Sequence, residues 1–498
     1  VASTWRELAT DIARIAKAYH QAGLRKGDRL AVLARTSRAW LLTELAGLSI
    51  GAVIVGVDPS SSAEGMDAIL QHSEASFLAT DTQLSLQKVP VRTRDSLRGI
   101  CVFAEGVDHV TSGNGNAIRS TQLQTPLSGD PATIVYTAGT TGHSKGVCFT
   151  HRQLSIAVCS AMTVWPELRP GDTTLCWLPM AHLFQRMLNF WAIAQGMTTY
   201  FVDDPRAIMD TLRAVRPAFF ASVPRFYEKL AQGIRQAPDP RAAARALTGG
   251  NLKFLLTGSA PLAPWIAETL HQAGLLVLEA YGVTENAIPN TGNRVNAYRF
   301  GSVGLPIEGN ELRLAEDGEV LVRSAGLFEG YYKEPRLPKE LFTADGFYRT
   351  GDIGTIDSDG FWYFLGRKAD LIKTSTGRRI SPARVEAAYL QSPFVDQVVV
   401  SGHGRTHLVA LVTLKSPADH EQIQKEFDRL GEALPVHERV KAFAILPAPF
   451  TVEAEELTPT LKLRRRKIEA RHAELLEQLH QQASLSRPEG SDPVRESG

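Results

Sequence analysis

The chain has 498 residues, 44% hydrophobic and 21% charged, which suits a soluble globular protein of about two to four domains. Its net charge of +1 at pH 7 excludes a global electrostatic pull toward nucleic acid or a membrane surface. Four cysteines, none in a C-x-x-C pair or at zinc spacing, exclude a disulfide scaffold and point to a reducing compartment. With no apolar run long enough to span a bilayer and no signal peptide, the expected location is cytoplasmic. Peripheral membrane contact, oligomeric state and a native segment before Val1 stay open.

In chain order, Thr4 and Glu7 form a capping box, and Leu8, Ile12, Ile15 and Tyr19 follow at helical spacing up to Gly23. Residues 30–33 read as a strand, 39–48 as a helix and 52–57 as a strand. Segments 64–72 and 77–80 continue the alternation, which argues a parallel, helix-covered sheet. Residues 106–127 are polar and turn-rich, a connector. An apolar run at 132–135 suits a buried strand, and 152–162 a helix. Further strands are expected at 172–178, 198–202, 219–223, 252–256 and 275–279. After Arg367 the composition shifts to a smaller α+β block, with strands at 397–401, 408–414 and 442–446 and a charged helix from about Arg466. The tail from Ser484 is poor in apolar residues and reads as disordered.

The stretch YTAGTTGHSKG at 136–146 carries the strongest chemical signal. Gly139, Gly142 and Gly146 allow backbone N–H groups to approach phosphate oxygens, hydroxyls at Thr137, Thr140, Thr141 and Ser144 add donors, and Lys145 supplies a point charge. It is not a Walker loop, which needs Gly at 144 and Ser or Thr at 146. The plainer reading is a mobile glycine–threonine turn. Several other strands end in small or polar residues, where a parallel sheet binds ligands. Such ends are Thr257-Gly258-Ser259-Ala260 and Tyr281-Gly282-Val283-Thr284-Glu285. Glu285 suits Mg²⁺ that already carries phosphate ligands, though its plainer reading in isolation is an exposed loop carboxylate or a helix N-cap partner. Asp352, with Arg367, suits the two hydroxyls of a ribose, or is a turn aspartate beside a surface arginine. His182, in LPMAHLFQR at 178–186, is a packing histidine or a group lining a reacting carboxylate. Lys462 lies between leucines just before the basic run 464–467, whose default reading is a solvated helix face.

Taken together and in order, YTAGTTGHSKG at 136–146, YGVTE at 281–285, YRTGD at 348–352, GRKAD at 366–370 and TPTLK at 458–462 resemble the adenylate-forming superfamily. That superfamily holds acyl-CoA synthetases, firefly luciferases and peptide-synthetase adenylation domains. LPMAHLFQR at 178–186, VPRFYEK at 223–229 and LTGSAP at 256–261 look most like long-chain fatty acyl-CoA synthetases. The resemblance spans nearly the whole chain. It implies an α/β fold: a large N-terminal domain of helix-covered β-sheets, residues 1–367, and a small mobile α+β C-terminal domain, 368–483, ahead of a tail, 484–498.

It further implies ATP, Mg²⁺ and CoA as cofactors, and a fatty acid as partner, joined to AMP and then to CoA. By carry-over, Thr137, Ala138, Gly139, Thr140, Thr141, Gly142 and Lys145 cradle pyrophosphate. Gly258, Ser259, Ala260, Glu279, Ala280, Tyr281 and Gly282 hold adenine. Thr284 touches the α-phosphate, while Thr141 and Glu285 hold the metal. Asp352 and Arg367 bind ribose, His182 lines the carboxylate site, and Lys462 bridges carboxylate and phosphate. The loop around Gly377 swings in for the thioester step. Two departures stand out: His143-Ser144 replaces the usual residue-proline pair before the lysine, and Ala369 stands where the hinge often has Lys or Asp. The alternatives are a ligase loading a carrier protein and a non-catalytic nucleotide or fatty-acid sensor.

Overall fold

The computed structural model describes residues 2–112, 124–137, 145–334, 339–457 and 463–485. They divide into two compact units: Val1–Ala315, Val320–Thr350 and Ile356–Tyr363 in the first, and Glu316–Glu319, Gly351–Thr355 and Phe364–Gly498 in the second. The expected disordered tail lies outside the described residues from 486 onward, and Ser484 still belongs to the helix Ala473–Leu485.

The first unit is built on two seven-stranded sheets. Strands β1 (Arg29–Leu33), β2 (Val53–Val57), β3 (Phe77–Thr80), β4 (Gly99–Val102), β5 (Val110–Ser112), β6 (Pro131–Thr137) and β7 (Lys145–Thr150) run in the order β5-β4-β3-β1-β2-β6-β7. The inner pairs are parallel, and every residue of β2 is buried, as a strand covered on both faces requires. The outer pairs β4–β5 and β6–β7 are antiparallel. This corrects the purely parallel expectation. Residues 145–150 are too short and mixed to signal a strand, yet they return along β6 before the helix His151–Val164 begins.

In the second sheet, β8 (Thr173–Cys176), β9 (Thr198–Phe201), β10 (Phe219–Ser222), β11 (Phe254–Thr257) and β12 (Val277–Tyr281) are parallel in the order β9-β8-β10-β11-β12. Two short antiparallel strands, Thr291–Gly292 and Leu305–Pro306, extend the β12 edge. Strand β12 starts and stops two residues later than expected, so Glu279, Ala280 and Tyr281 are strand residues. The carboxyl ends of β8, β10, β11 and β12 stand side by side.

The segment after β8 ties the two sheets together. The Thr36 hydroxyl donates to Leu178 O at 2.7 Å. On β2, a Cβ at Gly56 would lie 2.6 Å from Ala181 O, so only glycine lets the chain pass this closely. Gln185 Oε1 accepts the Leu178 N–H at 3.0 Å, folding the turn back on its own helix, Leu183–Gln195. One turn into that helix, fully buried Arg186 donates through Nε to Glu44 Oε1 at 2.6 Å and through Nη1 to the Thr133 hydroxyl of β6 at 2.7 Å. Burial pushes the Glu44 carboxyl up, against the pull of Arg186.

A four-stranded sheet follows: Asn310–Leu314, Glu319–Ser324, Tyr348–Ile356 and Trp362–Arg367, in that order. In the second unit Val395–Ser401 pairs antiparallel with Leu408–Leu414, which pairs parallel with Val440–Ile445. The helices Pro382–Tyr389 and His420–Gly431 pack on it, and Tyr389 stacks on Phe427 with ring centroids 4.2 Å apart. The basic run after Lys462 is not simply a solvated face. Arg465 is largely buried, with Nη2 2.6 Å from Glu386 and Nη1 donating to Val400 O at 2.7 Å, whereas Arg466 and Lys467 are exposed.

A buried charge stripped of its partner keeps its desolvation cost, about 3–5 kcal/mol. Arg186→Ala is therefore expected to lose about that much stability, and Glu44→Leu with Arg186→Met to recover most of it. Denaturant unfolding of both variants checks this; equal losses would show that packing, not charge pairing, dominates.

Candidate active site

The expected phosphate cradle is the loop of the β6–β7 hairpin. Thr137 and Lys145 stand directly opposite each other in the register and set its two ends. Ala138, Gly139, Thr140, Thr141 and Gly142, with His143 and Ser144, lie outside the described residues.

The free edge of β7 is met by residues 330–332. Tyr332 N–H donates to Gly146 O at 2.7 Å, and Val147 bridges Tyr331. This puts the Tyr331 ring beneath Lys145, whose Nζ is 4.6 Å from the ring centroid and 3.6 Å from Glu334 Oε2. The same tyrosine donates its hydroxyl to Glu285 Oε1 at 2.9 Å. Burial, then the Glu285 charge, pushes the Tyr331 phenol well above its ordinary value. Phe328 N–H donates to Glu285 O at 2.8 Å, fixing the backbone there. Lys145 and Glu285, 140 residues apart in sequence, are thus brought to one tyrosine.

On the second sheet, Thr257 pairs with Glu279 in the β11–β12 register, so Gly258-Ser259-Ala260 and Gly282-Val283-Thr284 leave adjacent strand ends together. Gly258 and Tyr281 are buried, while Ser259 and Ala260 are exposed. Ser259 has φ +69°, a left-handed conformation that costs a non-glycine residue about 1–2 kcal/mol. Glu279 is 5% exposed and accepts the Leu262 N–H at 3.3 Å. Burial pushes its carboxyl up to about 8 against the N–H donors of Leu262 and Gly301.

His182 precedes the helix Leu183–Gln195 and turns toward β2, with Nε2 3.3 Å from Asp58 Oδ2. Burial raises the Asp58 carboxyl, but contacts from His182 and from the Ser60 hydroxyl and N–H outweigh it and hold the group below its ordinary value. Asp58 and Tyr331 are missed by sequence reasoning. Asp58 stands in a VDPSSS turn, and Tyr331 in a GYY turn, where neither spacing nor charge marks them.

In the second unit Asp352 is 1% exposed, and Oδ1 lies 3.0 Å from Arg367 Nε. Gly377 tips the hairpin of Ile372–Lys373 and Arg379–Ile380 with φ +81° and open space around its Cα. Its turn is closed by Gly377 N–H to Thr374 O at 3.0 Å. Arg378 Nη1 lies 2.7 Å from His437 Nδ1. Lys462, with the rest of 458–462, lies outside the described residues.

A metal-binding reading of Glu285 fits this geometry. Among the described residues no cluster of three or more ligating side chains exists; Glu285 offers one carboxylate, held by Tyr331, and the other expected donor, Thr141, lies outside the described residues. That suits Mg²⁺ delivered with phosphate oxygens rather than an all-protein cage. No described helix is long and apolar enough to cross a membrane.

Comparison with known proteins gives a concordant result. The family model described as AMP-binding enzyme matches residues 1–332, and that described as AMP-binding enzyme C-terminal domain matches 369–484. The long-chain-fatty-acid–CoA ligase FadD15 of Mycobacterium bovis is 30% identical over 96% of this chain and 92% of its own. Long chain acyl-CoA synthetase 7, peroxisomal, of Arabidopsis thaliana is 26% identical over 97% of this chain and 82% of its own. Among solved structures, the anthranilate CoA ligase AuaEII with anthranoyl-AMP superposes with a TM-score of 0.80 at 21% identity, covering 94% of this chain and 91% of that one. The Bacillus subtilis O-succinylbenzoate coenzyme A synthetase with AMP gives 0.77 at 22%, covering 94% and 93%. The chain therefore belongs to the AMP-binding, adenylate-forming enzyme family, close to the fatty acyl-CoA synthetases.

The Glu279 carboxyl gives a signed pH prediction. Unfolded, it titrates near its ordinary 4.5; folded, it keeps its proton to about 8. Its contribution to stability is full below pH 4.5 and is lost as pH rises to about 8. Glu279→Gln is expected to flatten the fall in unfolding free energy between pH 5 and 8; a variant with the parent's slope would contradict the buried neutral carboxyl.

Proposed function

We propose that the protein is an ATP-dependent ligase that joins a long-chain fatty acid to CoA through an acyl-adenylate. The observation that carries this reading is the convergence of Lys145, at the start of β7, and Glu285 on Tyr331. The 30% identity to a long-chain-fatty-acid–CoA ligase over nearly the full length of both chains supports the substrate class. A carboxylate oxygen attacks the α-phosphorus of ATP, and pyrophosphate leaves. The CoA thiol then attacks the acyl carbon, and AMP leaves.

Each proposed role follows from charge and position. Thr137 through Gly142 and Lys145 bind the leaving pyrophosphate, with backbone N–H groups and one ammonium. Bound Mg²⁺ would neutralise phosphate charge, with Glu285 and Thr141 as its protein donors. Gly258, Ser259 and Ala260, facing Glu279, Ala280, Tyr281 and Gly282, form the adenine site on neighbouring strand ends. Thr284 donates to the α-phosphate, and the Asp352–Arg367 pair takes the ribose hydroxyls. His182 lines the carboxylate site, its ring held by Asp58. Lys462 orients the attacking carboxylate and neutralises the α-phosphate. The Gly377 turn acts in thioester formation, after residues 368–483 have turned about a hinge near Arg367. Transfer to a carrier protein instead of CoA is disfavoured by the relatives, which are named as CoA ligases.

Two outcomes test this. ATP–pyrophosphate exchange is expected to rise from short acids to about C12–C16, each buried CH₂ contributing about 0.8 kcal/mol. Equal activity on acetate, aromatic acids or amino acids would sink the substrate assignment. Lys462→Ala is expected to slow acyl-AMP formation by about 10²–10³ while sparing thioester formation from supplied acyl-AMP, and Gly377→Trp to do the reverse. Equal slowing of both half-reactions by Lys462→Ala would leave the lysine a structural role only.

A further inference from the structure

Tyr331 is assigned no part in the chemistry above, yet two of its proposed charged groups rest on it. Its hydroxyl donates to Glu285 Oε1 at 2.9 Å, and its ring face lies 4.6 Å below Lys145 Nζ. The residue is 8% exposed. Three further contacts fix it. Its backbone bridges Val147 on the edge of β7, its ring meets Phe328 with centroids 4.9 Å apart, and the Tyr348 hydroxyl bonds to its phenol oxygen. Tyr348 opens the YRTGD motif, and Phe328 also anchors the Glu285 backbone. A line of hydrogen bonds therefore runs from Tyr348 through Tyr331 to Glu285. Among the described residues Glu334 also carries charge near the ring, 3.6 Å from Lys145.

We infer that Tyr331 is a positioning residue that presets the metal-binding carboxylate and the phosphate-binding ammonium as one unit for a magnesium–triphosphate ligand. The inference rests on the function proposed above. The physical reason lies in two separable interactions. A hydrogen bond to a ligating carboxylate fixes which oxygen faces the metal, and loss of such a partner typically weakens metal binding about 10- to 100-fold. A ring face under an ammonium holds that charge without neutralising it as a carboxylate would. The ring orients the Lys145 ammonium beside Glu285 with no ion pair between those two, while exposed Glu334, 3.6 Å away, is its carboxylate partner. A tyrosine does both; phenylalanine does only the second, and leucine neither.

The test is binding, read by calorimetry on the full chain with ATP and no fatty acid, with and without Mg²⁺. In the parent, Mg²⁺ is expected to tighten ATP binding. Tyr331→Phe should shrink that tightening about 10-fold and leave metal-free ATP affinity unchanged. Tyr331→Leu should also weaken metal-free binding, by about 3- to 5-fold, the scale of one partly exposed cation–ring contact. Glu285→Gln with Tyr331→Phe should be no weaker than Glu285→Gln alone, since the hydroxyl acts through that carboxylate. A parent that binds ATP without any Mg²⁺ effect overturns the metal reading and this inference with it. A parent with the effect and a Tyr331→Phe variant that matches it, or losses that simply multiply in the double variant, overturn the inference alone.

Discussion

The first unit depends on one buried ion pair. Arg186 and Glu44 are fully enclosed and 142 positions apart, and the Thr133 hydroxyl accepts a further bond from the arginine. A pair this deep is poor value as stabilisation, because desolvating two charges offsets most of their attraction. Its strength lies in specificity. The carboxylate that meets the guanidinium is Glu44, and this pairing favours the observed docking of the helix Leu183–Gln195 on the first sheet. That docking fixes the turn before the helix, where Gly56 admits Ala181 at near contact and His182 meets Asp58.

A division of labour follows from the two sheets. The first contributes a hairpin and the strand end carrying Asp58; the second contributes a row of parallel strand ends. Within the first unit, Asp58 and Lys145 come from the first sheet, and Glu285, in the turn after β12, meets the β7 edge through Tyr331. The ends of β11 and β12 carry buried Gly258 and Tyr281 beside exposed Ser259, Ala260 and Gly282. Glu279 shows what this burial does: its carboxyl is pushed up to about 8, so at neutral pH it is mostly protonated and adds little charge beside the ends of β11 and β12. A nucleotide laid across these elements would meet charge at its phosphates and neutral surface at its base.

The sequence was most legible where chemistry compresses into short motifs. YTAGTTGHSKG stood out as more than a turn needs, while YGVTE and YRTGD pointed, only when taken together and in order, to the family that the comparisons show. Strands with strong Val and Leu content, such as Leu408–Leu414, were also found at their true bounds. What stayed hidden was pairing. β7 carries Gly, Cys and Thr among its few apolar residues and declares itself only against β6. Arg465 sits in a basic run that reads as solvent-facing, and only the fold supplies Glu386 and Val400 as its partners. Glu44 looks like an ordinary helix carboxylate until Arg186 arrives. Asp58 and Tyr331 lie in turns whose sequence gives no hint of which side chains cross over to them.

The central claim is that the carboxylate is activated as an adenylate, and the fate of its oxygen tests that most directly. The full chain would be incubated with a fatty acid labelled with ¹⁸O in both carboxyl oxygens, ATP, Mg²⁺ and CoA, and the products read by mass spectrometry. Attack on the α-phosphorus followed by thiol attack on the acyl carbon leaves one labelled oxygen in AMP, with unlabelled pyrophosphate and an acyl-CoA retaining the other. Label in inorganic phosphate with ADP as co-product, or thioester formed without label in AMP, would contradict the account.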